Sequence, residues 1–304
     1  MTSQEMVQEI NRLKKEKNAV IMAHYYVSDD VQDIADYIGD SFFLSKKATE
    51  IDADIIVLCG VLFMGESAKV LNPSKKVLLP AIDADCPMAH MATVDRIKEV
   101  RATYDDVAVV CYINSTAELK AASDVCVTSA NALKIVKALP NRYIYFIPDK
   151  NLAYYIANQL PDKEFIYNDG FCHVHHMLRA EDVLCAKEAK PNALVLVHPE
   201  CRPEVTALAD YIGSTSGIID YATKSEADEF IVVTEMGVLH ELKKRNPQKK
   251  FYVAGNLQLC PNMKKITLNK VLDVLEKEEK QVELSAELMQ QAKAPMMKML
   301  ELAK

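Results

Sequence analysis

Short apolar runs recur along the chain, separated by stretches whose apolar residues fall at helical spacing. The leading runs read NAVIMAHY, VAVVCYI and NALVLVH. A helical pattern follows each, then a very short strand such as DYIG or DVCV, then a helix. Next come a second long strand (DIIVLCG, RYIYFIP or EFIVVTE), another helix and a last strand (KKVLLP, KEFIYN or KKFYVA). Strands that are apolar throughout, rather than at alternate positions, are buried on both faces, as in parallel sheets covered by helices. The expected fold class is therefore α/β: three similar αβα sandwiches with small parallel sheets around a pseudo-threefold axis.

The pattern repeats in register. ADYIG occurs at 35–39 and again at 209–213, and DVCV stands midway. Asp36, Asp124 and Asp210 align at offsets of 88 and 86 residues, and so do Ser41, Ser129 and Thr215. The same offsets superpose His24, Tyr112 and His198, and Pro73, Pro161 and Pro247. Four landmarks sharing two offsets mark a diverged triplication, with units at 4–93, 94–180 and 181–265. A helical tail, 266–304, is expected to pack on the first unit, with a break near Pro295. The echoed ADYIG is then a short strand delivering a hydroxyl, Ser41, Ser129 or Thr215, to a helix N-cap. Three such ends offer unpaired N–H donors to carboxylates or phosphates.

Composition narrows the picture. A net charge of −7 over 304 residues argues against a broad nucleic-acid surface. No apolar run is long enough to span a bilayer, and the charged N-terminal stretch lacks the centre of a signal peptide. Eight cysteines are too sparse for a disulfide scaffold and fit a reducing cytoplasm, the expected location.

Three of those cysteines keep the register. Cys86, Cys172 and Cys260 each follow the last strand of a unit, so the pseudo-symmetry brings them to one axis. Three thiolates meeting there call for a metal. One reading is a [4Fe–4S] cluster with one iron left open for substrate. The other is zinc, with a fourth ligand from His173, His175, His176 or His90. The missing CxxC pairs favour the cluster. The first strands end in polar residues: His24 with Tyr26, Tyr112 with Asn114, and His198 with Glu200. Ligands of parallel sheets bind beyond such carboxyl ends. Glu200 is the candidate general base or acid, and Tyr26 and His175 are candidates to carry protons or orient substrate.

Ten motifs in order, MAHYY, DIADYIGDS, DCPMAHM, YINSTAELK, VTSAN, CHVHH, VHPEC, YIGSTSG, TEMG and CPNMKK, resemble the quinolinate synthases, the NadA family of de novo NAD synthesis. The resemblance implies a [4Fe–4S] cluster on Cys86, Cys172 and Cys260, one per chain. It also implies condensation of iminoaspartate with dihydroxyacetone phosphate, releasing phosphate and water. Its motif positions imply a substrate shell of His24, Ser41, Tyr112, Asn114, Ser129, His198, Glu200, Ser214 and Thr215, with His175 and Tyr26 close by. An aspartate-oxidising enzyme would supply the imine. Longer members carry a CxxCxxC arrangement at the third ligand; here the region reads CPNM, so thiol–disulfide control based on it is not expected. Two rival readings are another three-cysteine cluster enzyme of threefold build and a zinc-stabilised binding protein without catalysis.

Overall fold

The structure is a computed structural model describing residues 1–255 and 258–304. Asn256 and Leu257, within the third expected unit, lie outside the described residues. The first part runs α1 (Ser3–Glu16), β1 (Ala19–His24), α2 (Asp29–Asp33), β2 (Tyr37–Gly39), α3 (Ser41–Ala48), β3 (Ile55–Cys59), α4 (Leu62–Leu71) and β4 (Lys76–Leu78). The second runs α5 (Val94–Thr103), β5 (Val107–Tyr112), α6 (Ala117–Ala121), β6 (Val125–Val127), α7 (Ala132–Ala138), β7 (Tyr143–Ile147), α8 (Lys150–Ala157), β8 (Glu164–Tyr167) and α9 (His173–His176). The third runs α10 (Ala180–Ala189), β9 (Leu194–Val197), α11 (Pro203–Thr206), β10 (Tyr211–Ile212), α12 (Thr215–Lys224), β11 (Glu229–Val233), α13 (Val238–Arg245) and β12 (Lys250–Val253). Two helices follow, α14 (Leu268–Lys277) and α15 (Ala286–Leu302).

Among the described residues, twelve strands form three four-stranded parallel sheets with one order: β2-β1-β3-β4, β6-β5-β7-β8 and β10-β9-β11-β12. The expected α/β class with three parallel sheets is thus what the chain adopts. The central strands are buried along nearly their whole length, which is why they read as continuous apolar runs.

The repeated aspartate of the echoed motif has a structural task. Asp36 Oδ2 accepts the Ile21 N–H at 2.8 Å, while the Asp36 N–H donates to the Ile21 carbonyl at 2.9 Å. Asp124 does the same with Val109, and Asp210 with Val195. Each aspartate fills both backbone valences of the central strand where the short edge strand has not yet begun.

The cores are unequal. One continuous apolar cluster joins the first two sheets and the terminal helices, whereas the third sheet carries a separate cluster on each face. Terminal α14 packs on α1 as the sequence suggests, but α15 lies mainly along α6 and β6 of the second part, and also against α4 and α7. The tail thus meets the first unit through α14 on α1 and α15 on α4, and extends through α15 onto the second. Ala292, Met296 and Met299 are buried on one stripe of α15, and this stripe fills the seam between the first two sheets. Pro295 does not break the tail: it is buried inside a continuous helix.

Side chains at equivalent positions tie the parts together. Gln32 is fully buried, and its Nε2 donates to the carbonyls of Tyr25, Val27 and, across the interface, Gly237 at 2.9, 3.1 and 3.1 Å. The equivalent Lys120, also fully buried, donates from Nζ to the Phe63 carbonyl at 3.2 Å and Ser67 Oγ at 2.8 Å in the preceding part. At the remaining interface the donor is reversed, with Asn151 Nδ2 reaching the Glu200 carbonyl at 2.9 Å. Replacing Gln32 with Leu removes the two N–H donors that these three buried carbonyls share, for a similar volume. Urea unfolding of Gln32→Leu is expected to give a loss of about 1–3 kcal/mol, and an unchanged midpoint would contradict that role.

Candidate active site

The Cys-bearing loop of each part closes on the helix that follows the second long strand. The same backbone bond makes the closure three times: Leu62 N–H to Ala84 O at 2.9 Å, Lys150 N–H to Gly170 O at 2.8 Å, and Met236 N–H to Gln258 O at 2.7 Å. Two buried carboxylates reinforce it. Asp149 Oδ1 caps α8 through Leu152 N–H, and its Oδ2 accepts the Cys172 N–H at 3.0 Å. Glu235 accepts the Gly237 N–H on Oε2 and the Cys260 N–H, at 3.1 Å, on Oε1. In the first part Val61 holds the equivalent place, and Asp85 accepts the Cys86 N–H instead. Sequence reading passed over Asp149 and Glu235, although both directly follow register-matched strands.

These loops and the strand ends bound a partly enclosed cavity. Cys86, Cys172 and Cys260 all line it, as do His24, Tyr26, Tyr112, Asn114, His175, His198 and Glu200. Ser41, Ser129 and Thr215 line it too, but not as helix caps. The capping side chains are Asp40, which accepts the Phe43 N–H at 3.0 Å, and Ser214, which accepts the Gly217 N–H at 3.1 Å. A cap must stand one residue before the first helical position, so Ser41 and Thr215, already inside the first turn, do not cap, and the Thr215 hydroxyl instead meets that of Tyr26 at 2.7 Å. At α7 the N-cap is Asn131, and Ser129 lies in the turn before it. Ser214, also expected in the substrate shell, accepts the cap bond of α12 and is not among the residues that line the cavity.

Histidine orientation follows from the backbone. His24 Nδ1 accepts the Tyr26 N–H at 3.2 Å, and His198 Nδ1 accepts the Glu200 N–H at 3.3 Å. An accepting Nδ1 leaves the proton of a neutral ring on Nε2. Burial pushes both rings down to about 3, with Glu200 opposing the effect, so each is a neutral Nε2–H donor at physiological pH. Burial alone would raise the Glu200 carboxyl. His175, with Nδ1 at 2.6 Å, then His198 and the neighbouring Tyr112 outweigh it and hold Glu200 below the usual range. Burial holds the phenol of Tyr26 well above its usual range. Three buried side-chain atoms on this cavity have no partner: Asn114 Oδ1, Thr128 Oγ1 and Glu200 Oε1. Buried polar groups left open in this way point to a ligand.

Burial also pushes the Cys86 thiol up to about 12 and raises Cys172 and Cys260. Such thiols ionise only against a cation, so the donor set suits a metal centre. Among the described residues, the one set of three donor atoms within 4.8 Å of one another is that of Cys172, His175 and Glu200. The three thiols therefore stand wider apart than one tetrahedral zinc ion requires, which is about 4 Å between sulfurs for Zn–S bonds of about 2.3 Å. A cluster places its cysteines on different irons and accommodates that spread. The contact of His175 with Glu200 is at hydrogen-bonding distance, and an ion between them would hold these atoms further apart. His90 pairs with Asp85 at 2.6 Å, half-exposed and off the cavity, while His176 faces Asn151 at 3.3 Å.

Comparison with known proteins gives one consistent result. A sequence model of the family described as quinolinate synthetase A protein (NadA) matches residues 8–301. The chain is 52% identical over 303 residues to the quinolinate synthase of Caldicellulosiruptor saccharolyticus, covering 100% of both chains. It is 55% identical over 294 residues to that of Caldicellulosiruptor bescii, covering 97% of each. It is 48% identical over 299 residues to that of Clostridioides difficile, covering 98% of each.

The two strand-end histidines give the metal-free protein a defined pH response. Their folded values, about 3, lie below the unfolded value of about 6.5. The stability they contribute is complete above about pH 6.5 and is lost as pH falls toward 3. Denaturant titrations should show this decline, and His198→Gln should flatten it; an equally steep decline in the variant would contradict the assignment.

Proposed function

Because the chain belongs to the NadA family of quinolinate synthases, we propose that it condenses iminoaspartate with dihydroxyacetone phosphate to quinolinate, releasing phosphate and water, in NAD biosynthesis. The observation that carries this reading is a single cavity lined by three half-buried thiols and three unpartnered polar atoms, in a chain matched by the family over nearly its whole length.

Cys86, Cys172 and Cys260 would hold a [4Fe–4S] cluster, one per chain. When bound, the cluster supplies a Lewis-acidic iron with one coordination position open to a substrate oxygen. The remaining work falls to the chain's own side chains. The substrates bring two carboxylates and a phosphate, and the first turns of α3 and α12 offer backbone N–H groups with the hydroxyls of Ser41 and Thr215. Ser129 and Thr128 offer hydroxyls at the third corner. His24 and His198 donate neutral Nε2–H bonds to carboxylate or carbonyl oxygen. Asn114 and Tyr112 line the same cavity and complete the substrate shell.

Glu200 acts as the general base. Its Oε1 is open while its Oε2 is held by His175, so the carboxylate is fixed in place with one oxygen available to take a proton. Tyr26 carries protons during isomerisation, ring closure and dehydration, with His175 orienting Glu200. Phe63, Val61 and Met263 form the apolar part of the wall and exclude water from the imine, which hydrolyses readily. An aspartate-oxidising enzyme would supply that imine in the cytoplasm.

The test combines metal content and product on one anaerobic preparation. Iron and sulfide are expected at about four each per chain, with quinolinate formed from fresh iminoaspartate and dihydroxyacetone phosphate. Cys86→Ala should lose both. Zinc in place of iron, with no product under strict anaerobiosis, would overturn the proposal.

A further inference from the structure

The residue four positions after each cysteine is basic in every copy: His90, His176 and Lys264. In the first and third copies it pairs with the carboxylate that accepts the cysteine N–H. His90 Nε2 is 2.6 Å from Asp85 Oδ2, and Lys264 Nζ is 3.1 Å from Glu235 Oε1. The settings differ. The first pair is half-exposed and confined to its own loop, whereas Glu235 is fully buried and Lys264 is largely covered.

Lys264 also crosses to the first part. Its Nζ donates to the Tyr26 carbonyl at 2.7 Å, while the Tyr26 N–H is held by His24 Nδ1 from within that part. At the other end, the Lys264 N–H donates to the Cys260 carbonyl at 3.2 Å, and Glu235 takes the Cys260 N–H. One residue thus grips Cys260 on both sides and fixes the backbone of Tyr26. The contact has no slack, because a Cβ on Gly237 would stand 2.7 Å from the Tyr25 carbonyl oxygen and 2.9 Å from Tyr26 Cα.

The other copies show where this contact is used. Tyr26, Asn114 and Glu200 are equivalent, each two residues beyond the end landmark of a first strand. The Glu200 carbonyl receives the matching bond from the second part, Asn151 Nδ2 at 2.9 Å. The same Nδ2 faces His176, again the residue four after a cysteine, at 3.3 Å. His90 instead pairs inside its own loop. The crossing bonds therefore fall on Tyr26 and Glu200, the two side chains assigned to moving protons.

We propose that Lys264 is a positioning residue that couples the metal-ligating Cys260 to the placement of Tyr26. A ligand bound through Cys260 fixes its loop, and the ammonium group passes that constraint to the Tyr26 backbone across the interface. The coupling is reciprocal: a change that frees Tyr26 from Lys264 also loosens the grip on Cys260. Lys264 has three donors for this task, and its charge offsets that of the buried Glu235.

The inference rests on the proposed reaction for its rate, and Lys264→Met against Lys264→Arg tests it. Methionine keeps the stem without the donors; arginine keeps donors and charge. In the cluster-loaded protein, Lys264→Met is expected to lower kcat roughly 10- to 100-fold, with KM near wild type. Its iron should pass to a ferrous-iron chelator several-fold faster under anaerobic conditions, with no substrate present. Lys264→Arg should restore most of both. The adjacent Lys265, which reaches the Asp83 carbonyl at 2.6 Å in an exposed setting, is the control. Lys265→Met should stay within about twofold of wild type in both measurements. Should the methionine protein not fold, Lys264→Met combined with Glu235→Gln removes both charges and carries the same comparison. Wild-type kcat and iron release in Lys264→Met, a change in one without the other, or equal losses in Lys265→Met would overturn the coupling. Absence of quinolinate from the wild type would overturn the reaction itself, and iron release would still decide whether Lys264 holds Cys260.

Discussion

The site depends on a backbone hydrogen bond made three times. In the first two parts the first residue of the helix after the second long strand, and in the third the residue before the helix N-cap, donates an N–H to the carbonyl of the loop that carries the cysteine. A helix N-terminus has N–H groups without partners, and the loop supplies one. The bond ties each loop to the carboxyl end of its sheet, and three such loops bring three thiols to one cavity. Asp149 and Glu235 hold the second and third loops further by taking the cysteine N–H itself. The first loop relies on Asp85, a half-exposed carboxylate from its own neighbouring residue, so Cys86 is the least firmly tied of the three.

The sequence carried the repeated features clearly, because whatever occurs three times at constant offsets is visible without coordinates. The strand runs, the aspartates beside them and the three cysteines are of this kind. The features it hid are those that break the repeat. Asp149 and Glu235 have only Val61 as their counterpart. Capping was read one residue late at Ser41 and Thr215, since a serine in the sequence does not reveal whether its backbone is already helical, whereas the extended φ and ψ of Asp40 and Ser214 do. The seating of α15 was also out of reach. A stripe of Ala and Met fits many surfaces, and only the shared core of the first two sheets decides which one it covers.

Divergence among the copies is where the chemistry lies. Equal copies would present three equal corners, suited to binding but not to moving a proton in one direction. At the strand ends, His24, Tyr112 and His198 have become two neutral donors and a phenol, and Tyr26, Asn114 and Glu200 stand two residues on from them. Glu200 alone of these six carries a charge, and it sits beside His175 from the second part. Joining the copies in one chain lets each position change without altering its two equivalents, a freedom that a trimer of identical subunits lacks.

The seating of α15 has a consequence for biosynthesis. The helix is made after both sheets whose seam it fills. While the chain emerges, the first two units are complete in sequence but share an apolar seam that nothing yet covers. Cys260, the last of the three thiols, is also synthesised before that helix. Synthesis therefore runs in order, two thiols, then the third, then the closing helix, and a nascent chain carries all three thiols before its core is sealed.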